Sequence, residues 1–183
     1  SRAKSLRTHG GQQQYEHPEV GGNFRIDALQ AAMLRPKIGL SEAYARGRQR
    51  NATLYAKLLG EAGVAAPALG ERGCASHCLG GKEQPDTPIL LPVACQSQHV
   101  FNQYTIRVRG PGKRDALMAK LKEKSIGCAI YYPKPLHLQP CFASLGHKPG
   151  DFPVSEELAR EVLALPVFGE LTEDEVRYVA ETI

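Results

Sequence analysis

Two pairs of possible metal ligands stand in the middle of the chain. Cys74 is followed after three intervening residues by Cys78, and Cys95 is followed after three by His99. Thiolates and imidazoles bind zinc tetrahedrally in structural sites. This spacing is looser than that of a usual zinc knuckle, so we expect free thiols in a variable loop and no metal site. A small zinc-stabilised binding module is the alternative that these residues leave open.

A carboxamide and a guanidinium, Asn23 and Arg25, follow the Gly21-Gly22 pair. A neutral carboxamide can donate a hydrogen bond to a phosphate, and a planar guanidinium can hold a carboxylate through two parallel hydrogen bonds. Asparagine is also a common turn residue, and an arginine in a first helical turn can be a plain surface residue. From these residues alone both interpretations stay open.

Polar side chains also stand beside two later segments. Asn102 and Gln103 precede an alternating run, and Tyr132 and His137 lie in a proline-rich stretch. Histidine can bind ligands or transfer protons near neutral pH. His137 lies between two leucines, however, so a packed and hydrogen-bonded ring is an equal alternative.

The elements that position these residues begin with a long helical pattern after an irregular N-terminal segment. Ile26, Leu29 and Met33 recur on one face of this helix, and the pattern resumes beyond Pro36. Proline removes a backbone donor and clashes with the preceding turn. We therefore expect one kinked helix or two consecutive helices.

The next elements are shorter. A strand is expected at 89–91, and the alternation of Tyr104, Ile106 and Val108 with polar residues predicts a half-buried strand. A helix over about 114–124 and a second strand over 128–132 would complete a strand–helix–strand unit from 104 to 132.

Two helices are predicted at the C-terminus. The first would bury Leu158, Val162 and Leu165 along one face. The second would begin at a capping box formed by Thr172 and Glu175, in which each side chain accepts a backbone hydrogen bond that the helix leaves unused.

Composition excludes several classes of protein. The chain has 183 residues, 42% of them hydrophobic and 23% charged, as is usual for a folded protein of about one domain. A net charge of +4 is no signature of nucleic-acid binding. No apolar run approaches the roughly 20 residues of a membrane span. The five cysteines and the lack of a recognisable signal peptide favour reduced thiols and a cytoplasmic protein, with neither nucleic acid nor membrane as partner.

Three segments carry a family resemblance when they are taken together. They are the run from Gly21 to Ala32, the run from Phe101 to Arg107, and the run from Tyr131 to His137, continued by Gly150 to Glu156 and Leu163 to Pro166. In this order and spacing they resemble the C-terminal half of the DegT/StrS family of PLP-dependent sugar aminotransferases. The resemblance covers nearly the whole chain, and residues 70–98 match it poorly.

The resemblance implies the fold and the reaction. It implies a fold-type I aminotransferase, of which this chain would be the α/β, more strictly α+β, small domain. Residues 1–24 would end the large PLP domain, and residues 25–183 would form the small domain with a variable loop at 64–98. The family implies a homodimer with active sites at the subunit interface. Its reaction moves an amino group, usually from glutamate, onto a keto group of a nucleotide-linked sugar.

The resemblance also implies residue roles. Asn23 matches the asparagine that reaches the PLP phosphate of the neighbouring subunit, and Arg25 matches an arginine near the substrate. Asn102 and Gln103 match a polar pair in front of the strand. Many members have histidine where Asn102 stands, so only hydrogen bonding is implied there. Tyr132 and His137 match the substrate-side loop.

The lysine that carries PLP in this family belongs to a serine- and glycine-rich segment upstream of Asn23. None of the ten lysines of this chain stands in such a context. The 183 residues alone are therefore predicted to be inactive. A non-catalytic or regulatory aminotransferase-like protein, or a dehydratase-like member, is the alternative, because a fold does not determine a function.

Overall fold

A computed structural model describes residues 2–11, 15–23, 27–67, 86–94 and 98–183. The chain divides into two compact units. The first unit comprises residues 1–39 and 131–160, and the second comprises residues 40–130 and 161–183. These units do not decide where the large domain of a longer protein would end, so a domain boundary at residue 24 stays a prediction.

The described part of the chain contains α-helices, short 3₁₀ helices and strands. The α-helices are α1 (Arg2–Leu6), α2 (Ala28–Leu34), α3 (Ser41–Glu61), α4 (Lys113–Glu123), α5 (Pro153–Glu161) and α6 (Glu173–Thr182). Short 3₁₀ helices cover Arg35–Leu40, Leu136–Leu138 and Pro140–Leu145. The strands are β1 (Ala65–Pro67), β2 (Ile89–Leu91), β3 (Tyr104–Val108) and β4 (Val162–Leu165). No helix among these residues is long and apolar enough to cross a membrane.

The second unit is built on one sheet of four strands in the order β1-β2-β3-β4. β1 pairs parallel with β2, and the other two pairings are antiparallel. In β3, Tyr104, Ile106 and Val108 are buried while the residues between them are partly exposed, as the alternating sequence predicts. The predicted α/β class is thus confirmed, with helices packed on a small sheet.

The core of the second unit joins this sheet to α3 and α6. Tyr55, Leu59, Ile106, Leu163 and Val176 are all fully buried in it. The rings of Tyr55 and Tyr104 stack with their centroids 5.2 Å apart. Burial raises the pKa of both phenols, so both stay neutral at physiological pH.

The break at Pro36 is confirmed. Asp27 caps α2 by accepting a hydrogen bond from the Gln30 N–H at 2.8 Å. A 3₁₀ helix that contains Pro36 then separates α2 from α3, because proline cannot continue the α-helical ladder. The apolar face predicted for α2 is exposed in this chain, with Leu29 73% and Met33 66% accessible.

Two element predictions were wrong in detail. The helix α5 ends at Glu161, and Val162–Leu165 continues as strand β4, paired with β3. The spacing of Leu158, Val162 and Leu165 fits a helix. The four-residue apolar run is nevertheless more stable as a strand, because the sheet buries its side chains and pairs its backbone. The strand expected over 128–132 is reduced to a single bridge between Ala129 and Ala164. The capping box of Thr172 and Glu175 at α6 is confirmed.

The first unit has almost no apolar core of its own. Among its described residues, Ala159 is the one apolar side chain that is fully buried. Large apolar side chains there are instead exposed, including Val20 at 65%, Leu136 at 69% and Val154 at 66%. Since burial of apolar area is the main favourable term in folding, this unit gains little stability from its own packing.

An ion pair joins β3 to the C-terminal end of α5 within the second unit. Arg107 Nε donates to Glu161 Oε2 at 2.6 Å, and the Gly110 N–H donates to Glu161 Oε1 at 3.1 Å. Burial by itself would raise the pKa of Glu161. The hydrogen bonds from Arg107 and Gly110, with the charges of Arg107 and Arg109, outweigh burial and lower that pKa below its usual value.

We expect Arg107→Met to lower the free energy of unfolding by about 2 kcal/mol near neutral pH, because it leaves a largely buried carboxylate without its charged partner. The folded pKa of Glu161 is depressed, so the pair's contribution is complete above the unfolded pKa of about 4.3 and is lost as pH falls through the folded value. Urea denaturation at pH 7 and pH 3 measures this, with the difference shrinking at pH 3.

A matched control is Arg46→Met. Arg46 pairs with Glu42 on the surface of α3, where both side chains are more than two-thirds exposed. Exposed pairs of this kind contribute about 0–1 kcal/mol. Two results would show that the Arg107–Glu161 pair does not stabilise the fold in this way. One is a loss of unfolding free energy in Arg107→Met no larger than that in Arg46→Met, and the other is an equal loss at both pH values.

Candidate functional site

Asn23 is held by a glycine-rich turn in the first unit. The His9 N–H donates to the Gly22 carbonyl at 3.0 Å, and Asn23 forms an isolated β-bridge with Thr8. A Cβ at Gly21 would overlap the backbone of Gly10, so only glycine permits this approach. The backbone of Asn23 is therefore fixed while the residue itself is exposed.

An open cavity of about 650 Å³ lies in the same unit. Its wall includes Tyr15, His17, Tyr132, Lys134, Gln139 and Cys141, and it is called the Tyr15–Tyr132 cavity below. Cavities of roughly 300–1,000 Å³ with a few convergent polar groups are typical of small-molecule sites. This cavity brings the predicted site residue Tyr132 together with several residues that were not predicted.

The wall of this cavity combines aromatic rings with the cationic member of an ion pair. The ring of Tyr15 meets the ring of Tyr132 edge to face, with the centroids 5.5 Å apart. Lys134 Nζ donates to Glu16 Oε1 at 2.7 Å. Tyr132 is 60% exposed, so its ring and hydroxyl are accessible to a ligand. The wall thus offers aromatic faces together with hydrogen-bond donors and acceptors.

His137, within the proline-rich stretch, is packed against Glu156 and is not among the residues that line the cavity. Its side chain is only 8% exposed, and Nε2 lies 3.0 Å from Glu156 Oε1. The Gly150 N–H donates to the same oxygen at 2.7 Å. The hydrogen bond from Gly150 and then that of His137 lower the pKa of Glu156, so this carboxylate stays charged. His137 is thus packed and hydrogen-bonded, and its contact with substrate stays a prediction.

Asn102 and Gln103 lie in the second unit, directly before β3, and both are exposed. The preceding Phe101 has a positive φ of 46° and donates its N–H to His99 Nδ1 at 3.1 Å. This local bond fixes the approach to β3. The side chains of Asn102 and Gln103 remain available for hydrogen bonding, as a substrate-contacting pair requires.

Several predicted residues lie outside the part of the chain that the structure describes. Arg25 is one, and Cys74, Cys78 and Cys95 are the others. Within the described residues, no group of three histidine, cysteine, aspartate or glutamate side chains could hold a metal ion. Three of the four possible zinc ligands thus lie outside the described residues, and zinc binding stays an untested alternative.

The residues that sequence reasoning missed are Tyr15, Glu16, His17 and Gln139. More than 100 residues separate Gln139 from the segment that it contacts, and no local spacing predicts such a contact. The proline-rich motif from Tyr131 to His137 was the available signal, and the missed residues pack against that motif or just beyond it.

Asn23 is the residue for which the family resemblance implies a contact with the PLP phosphate. It is exposed, its backbone is bridged to Thr8, and its side chain carries amide hydrogens, which suit a phosphate oxygen as acceptor. These features fit the role that the family asparagine has, and the contact itself stays a prediction.

Comparison with known proteins identifies relatives over the whole chain. A model of the DegT/DnrJ/EryC1/StrS aminotransferase family matches residues 1–183. A pleiotropic regulatory protein of Geobacillus stearothermophilus is 39% identical over 182 residues, which are 100% of this chain and 42% of that protein. A UDP-N-acetyl-3-dehydro-alpha-D-glucosamine 3-aminotransferase of Acidithiobacillus ferrooxidans is 35% identical, over 98% of this chain and 41% of that enzyme.

A solved structure shares the fold. The crystal structure of Streptomyces venezuelae DesV in complex with a ketimine intermediate superposes with a TM-score of 0.66 and 29% identity. The superposition covers 99% of this chain and 42% of the DesV chain. The chain thus spans less than half the length of the proteins that it matches.

Proposed function

Because the chain belongs to the DegT/DnrJ/EryC1/StrS aminotransferase family, we propose that it is the C-terminal part of a PLP-dependent sugar aminotransferase. The enzyme would move an amino group from an amino acid, with glutamate as the expected donor, to a keto group of a nucleotide-linked sugar. The observation that carries this proposal is the match along the whole chain to relatives that include nucleotide-sugar aminotransferases.

PLP, when bound, supplies the electron sink for amino-group transfer. Residues of this chain would bind and orient the PLP phosphate and the substrates. Asn23 would donate an amide hydrogen to the phosphate of the cofactor held by the neighbouring subunit. Arg25 would hold a carboxylate, as in an amino-acid donor, through two hydrogen bonds. We propose these roles from the family resemblance.

The Tyr15–Tyr132 cavity is the proposed place for the sugar. A hexose presents both apolar C–H faces and hydroxyl groups, and this wall offers tyrosine rings beside the polar groups of His17 and Lys134. We propose that Tyr132 contacts the sugar there and that His137 supports this loop from its packed position. Asn102 and Gln103 are proposed to contact substrate through hydrogen bonds.

The test is turnover by the longer protein that contains this chain. Purified with PLP, it is expected to convert a UDP- or dTDP-linked 3-keto sugar and glutamate into the amino sugar and 2-oxoglutarate. Mass spectrometry of the sugar nucleotide and a coupled assay for 2-oxoglutarate measure the two products. A stoichiometric yield of both supports the proposal.

The control omits either glutamate or the keto sugar, and neither product should then form. Absence of both products across UDP- and dTDP-linked keto sugars, from protein that retains PLP, would contradict the proposed reaction.

A second candidate is a regulatory protein that keeps the aminotransferase scaffold. It is favoured by one observation, the 39% identity to a protein named as a pleiotropic regulatory protein. The sequence upstream of this chain separates the two candidates. A lysine in a serine- and glycine-rich segment supports the enzyme, and its replacement supports the regulator.

We further propose that the longer protein is a cytoplasmic homodimer with its active sites at the subunit interface. The support is the family resemblance, together with the apolar face that Leu29 and Met33 leave exposed on α2. Sedimentation equilibrium measures the mass of the longer protein in solution. A monomer mass at micromolar concentration would overturn this proposal.

A further inference from the structure

Gln139 is a buried polar residue in the wall of the Tyr15–Tyr132 cavity. It lies between two 3₁₀ helices and is only 5% exposed. The cost of burying a carboxamide is large unless both of its ends are hydrogen-bonded. Both ends of this side chain have partners, and both partners belong to residues 15–17, which also line the cavity.

The two hydrogen bonds run from one carboxamide to one backbone segment. The His17 N–H donates to Gln139 Oε1 at 3.2 Å, and Gln139 Nε2 donates to the Tyr15 carbonyl at 3.1 Å. The orientation of the amide follows from these partners, because a rotated amide would set a donor against the His17 N–H. The carboxamide therefore pairs with the backbone of residues 15–17 through one acceptor and one donor, as the backbone of a neighbouring strand would.

A third hydrogen bond continues this connection. The Cys141 N–H donates to the His17 carbonyl at 3.0 Å. Two of the three bonds between residues 15–17 and residues 139–141 thus depend on one side chain. The position of Tyr15 and His17 in the cavity wall is consequently sensitive to the chemistry at residue 139.

We propose that Gln139 is a positioning residue that holds Tyr15 and His17 against the Tyr132–Lys134 side of the cavity, so that the sugar substrate meets a preformed wall. This inference rests on the proposed function, since it takes the cavity as the sugar site. Although Gln139 lines the cavity, it is only 5% exposed and both ends of its carboxamide are hydrogen-bonded, so it acts on the substrate through the residues that it positions. Its loss should weaken sugar binding more than it slows reaction with the amino donor.

The experiment compares Gln139→Met and Gln139→Glu in the longer, PLP-loaded protein. Gln139→Met keeps the side-chain length but leaves the His17 N–H and the Tyr15 carbonyl without partners. We expect KM for the keto-sugar nucleotide to rise at least tenfold, while the rate of the half-reaction with glutamate changes less than twofold.

Gln139→Glu separates positioning from general destabilisation. Its carboxylate can still accept from His17 but faces the Tyr15 carbonyl oxygen with no hydrogen to donate. Burial against the Tyr15 carbonyl should raise the pKa of this carboxyl above its usual value of about 4.3, and protonation then restores a donor. We therefore expect its KM defect to shrink at least threefold between pH 8 and pH 5.5. The KM of the wild type and of Gln139→Met should not improve in this way.

Gln49→Met is the matched control. Gln49 Nε2 also donates to a backbone carbonyl, that of His99 at 2.8 Å, but on the exposed side of α3 in the second unit. This variant should leave KM within twofold of the wild type. Equal KM for Gln139→Met and Gln49→Met would overturn the proposal. Equal losses in the sugar and glutamate half-reactions of Gln139→Met would also overturn it.

Amide hydrogen exchange separates failure of this inference from failure of the proposed function. If the wild type turns over no keto sugar, the function fails, but exchange at the His17 amide still reports on Gln139. We expect exchange there to be at least tenfold faster in Gln139→Met than in Gln49→Met. Unchanged exchange at His17 would show that Gln139 does not hold the wall.

Discussion

Expressed alone, the 183-residue chain is expected to have no aminotransferase activity and to retain no stoichiometric PLP on any single lysine after borohydride reduction. The reason is chemical. Amino-group transfer needs a lysine held at the cofactor carbonyl, and the family places that lysine in a serine- and glycine-rich segment upstream of Asn23. None of the ten lysines present stands in such a segment. Lys134, the one lysine in the cavity wall, is paired with Glu16 at 2.7 Å.

The measurement is peptide mapping after borohydride reduction, with one equivalent of PLP and the longer protein treated in parallel. The longer protein should carry a reduced pyridoxyl group on a single lysine, upstream of this chain. In the 183-residue chain, labelling should be weak and spread over exposed lysines. Stoichiometric labelling of one lysine within residues 1–183 would overturn both the prediction and the assignment of this chain as a partial site.

Elements with strong local signals were predictable from the sequence. The alternation of Tyr104, Ile106 and Val108 predicts β3, and Pro36 predicts the break between α2 and α3. The Thr172–Glu175 pair predicts the start of α6. Each signal arises from neighbours within one turn or one strand, where propensity and local hydrogen bonding decide the structure.

Elements decided by distant contacts were not predictable. Val162–Leu165 has helical spacing with Leu158, yet it forms β4 because β3 offers it a ladder and a buried face. The same limit applies to the site. Tyr132 could be singled out by its motif, whereas Gln139 acquires its place only through contact with Tyr15 and His17. A sequence pattern does not report which distant backbone groups need a partner.

The uneven distribution of buried side chains leads to the second large effect. In the chain alone, backbone amides of the second unit should exchange at least a thousandfold more slowly than those of the first. β3 and β4 lie in a continuous apolar core, so their amides open only with global unfolding, at a cost of about 5 kcal/mol or more. The first unit, where Ala159 alone is a fully buried apolar residue among those described, opens locally.

Mass-spectrometric exchange resolves this difference with peptides that cover 104–108 and 162–165 in the second unit and 2–11 and 136–145 in the first.

Leu163→Ala supplies the internal control. Leu163 is fully buried between the sheet and its helices, and its truncation should cost about 3 kcal/mol. Protection should then fall roughly a hundredfold in the second unit and stay unchanged in the first. Equal protection of the two units in the wild type, or an equal response to Leu163→Ala, would show that the first unit shares the core of the second. The chain would then fold as one cooperative body, and residues 1–39 and 131–160 would need no further chain to be stable.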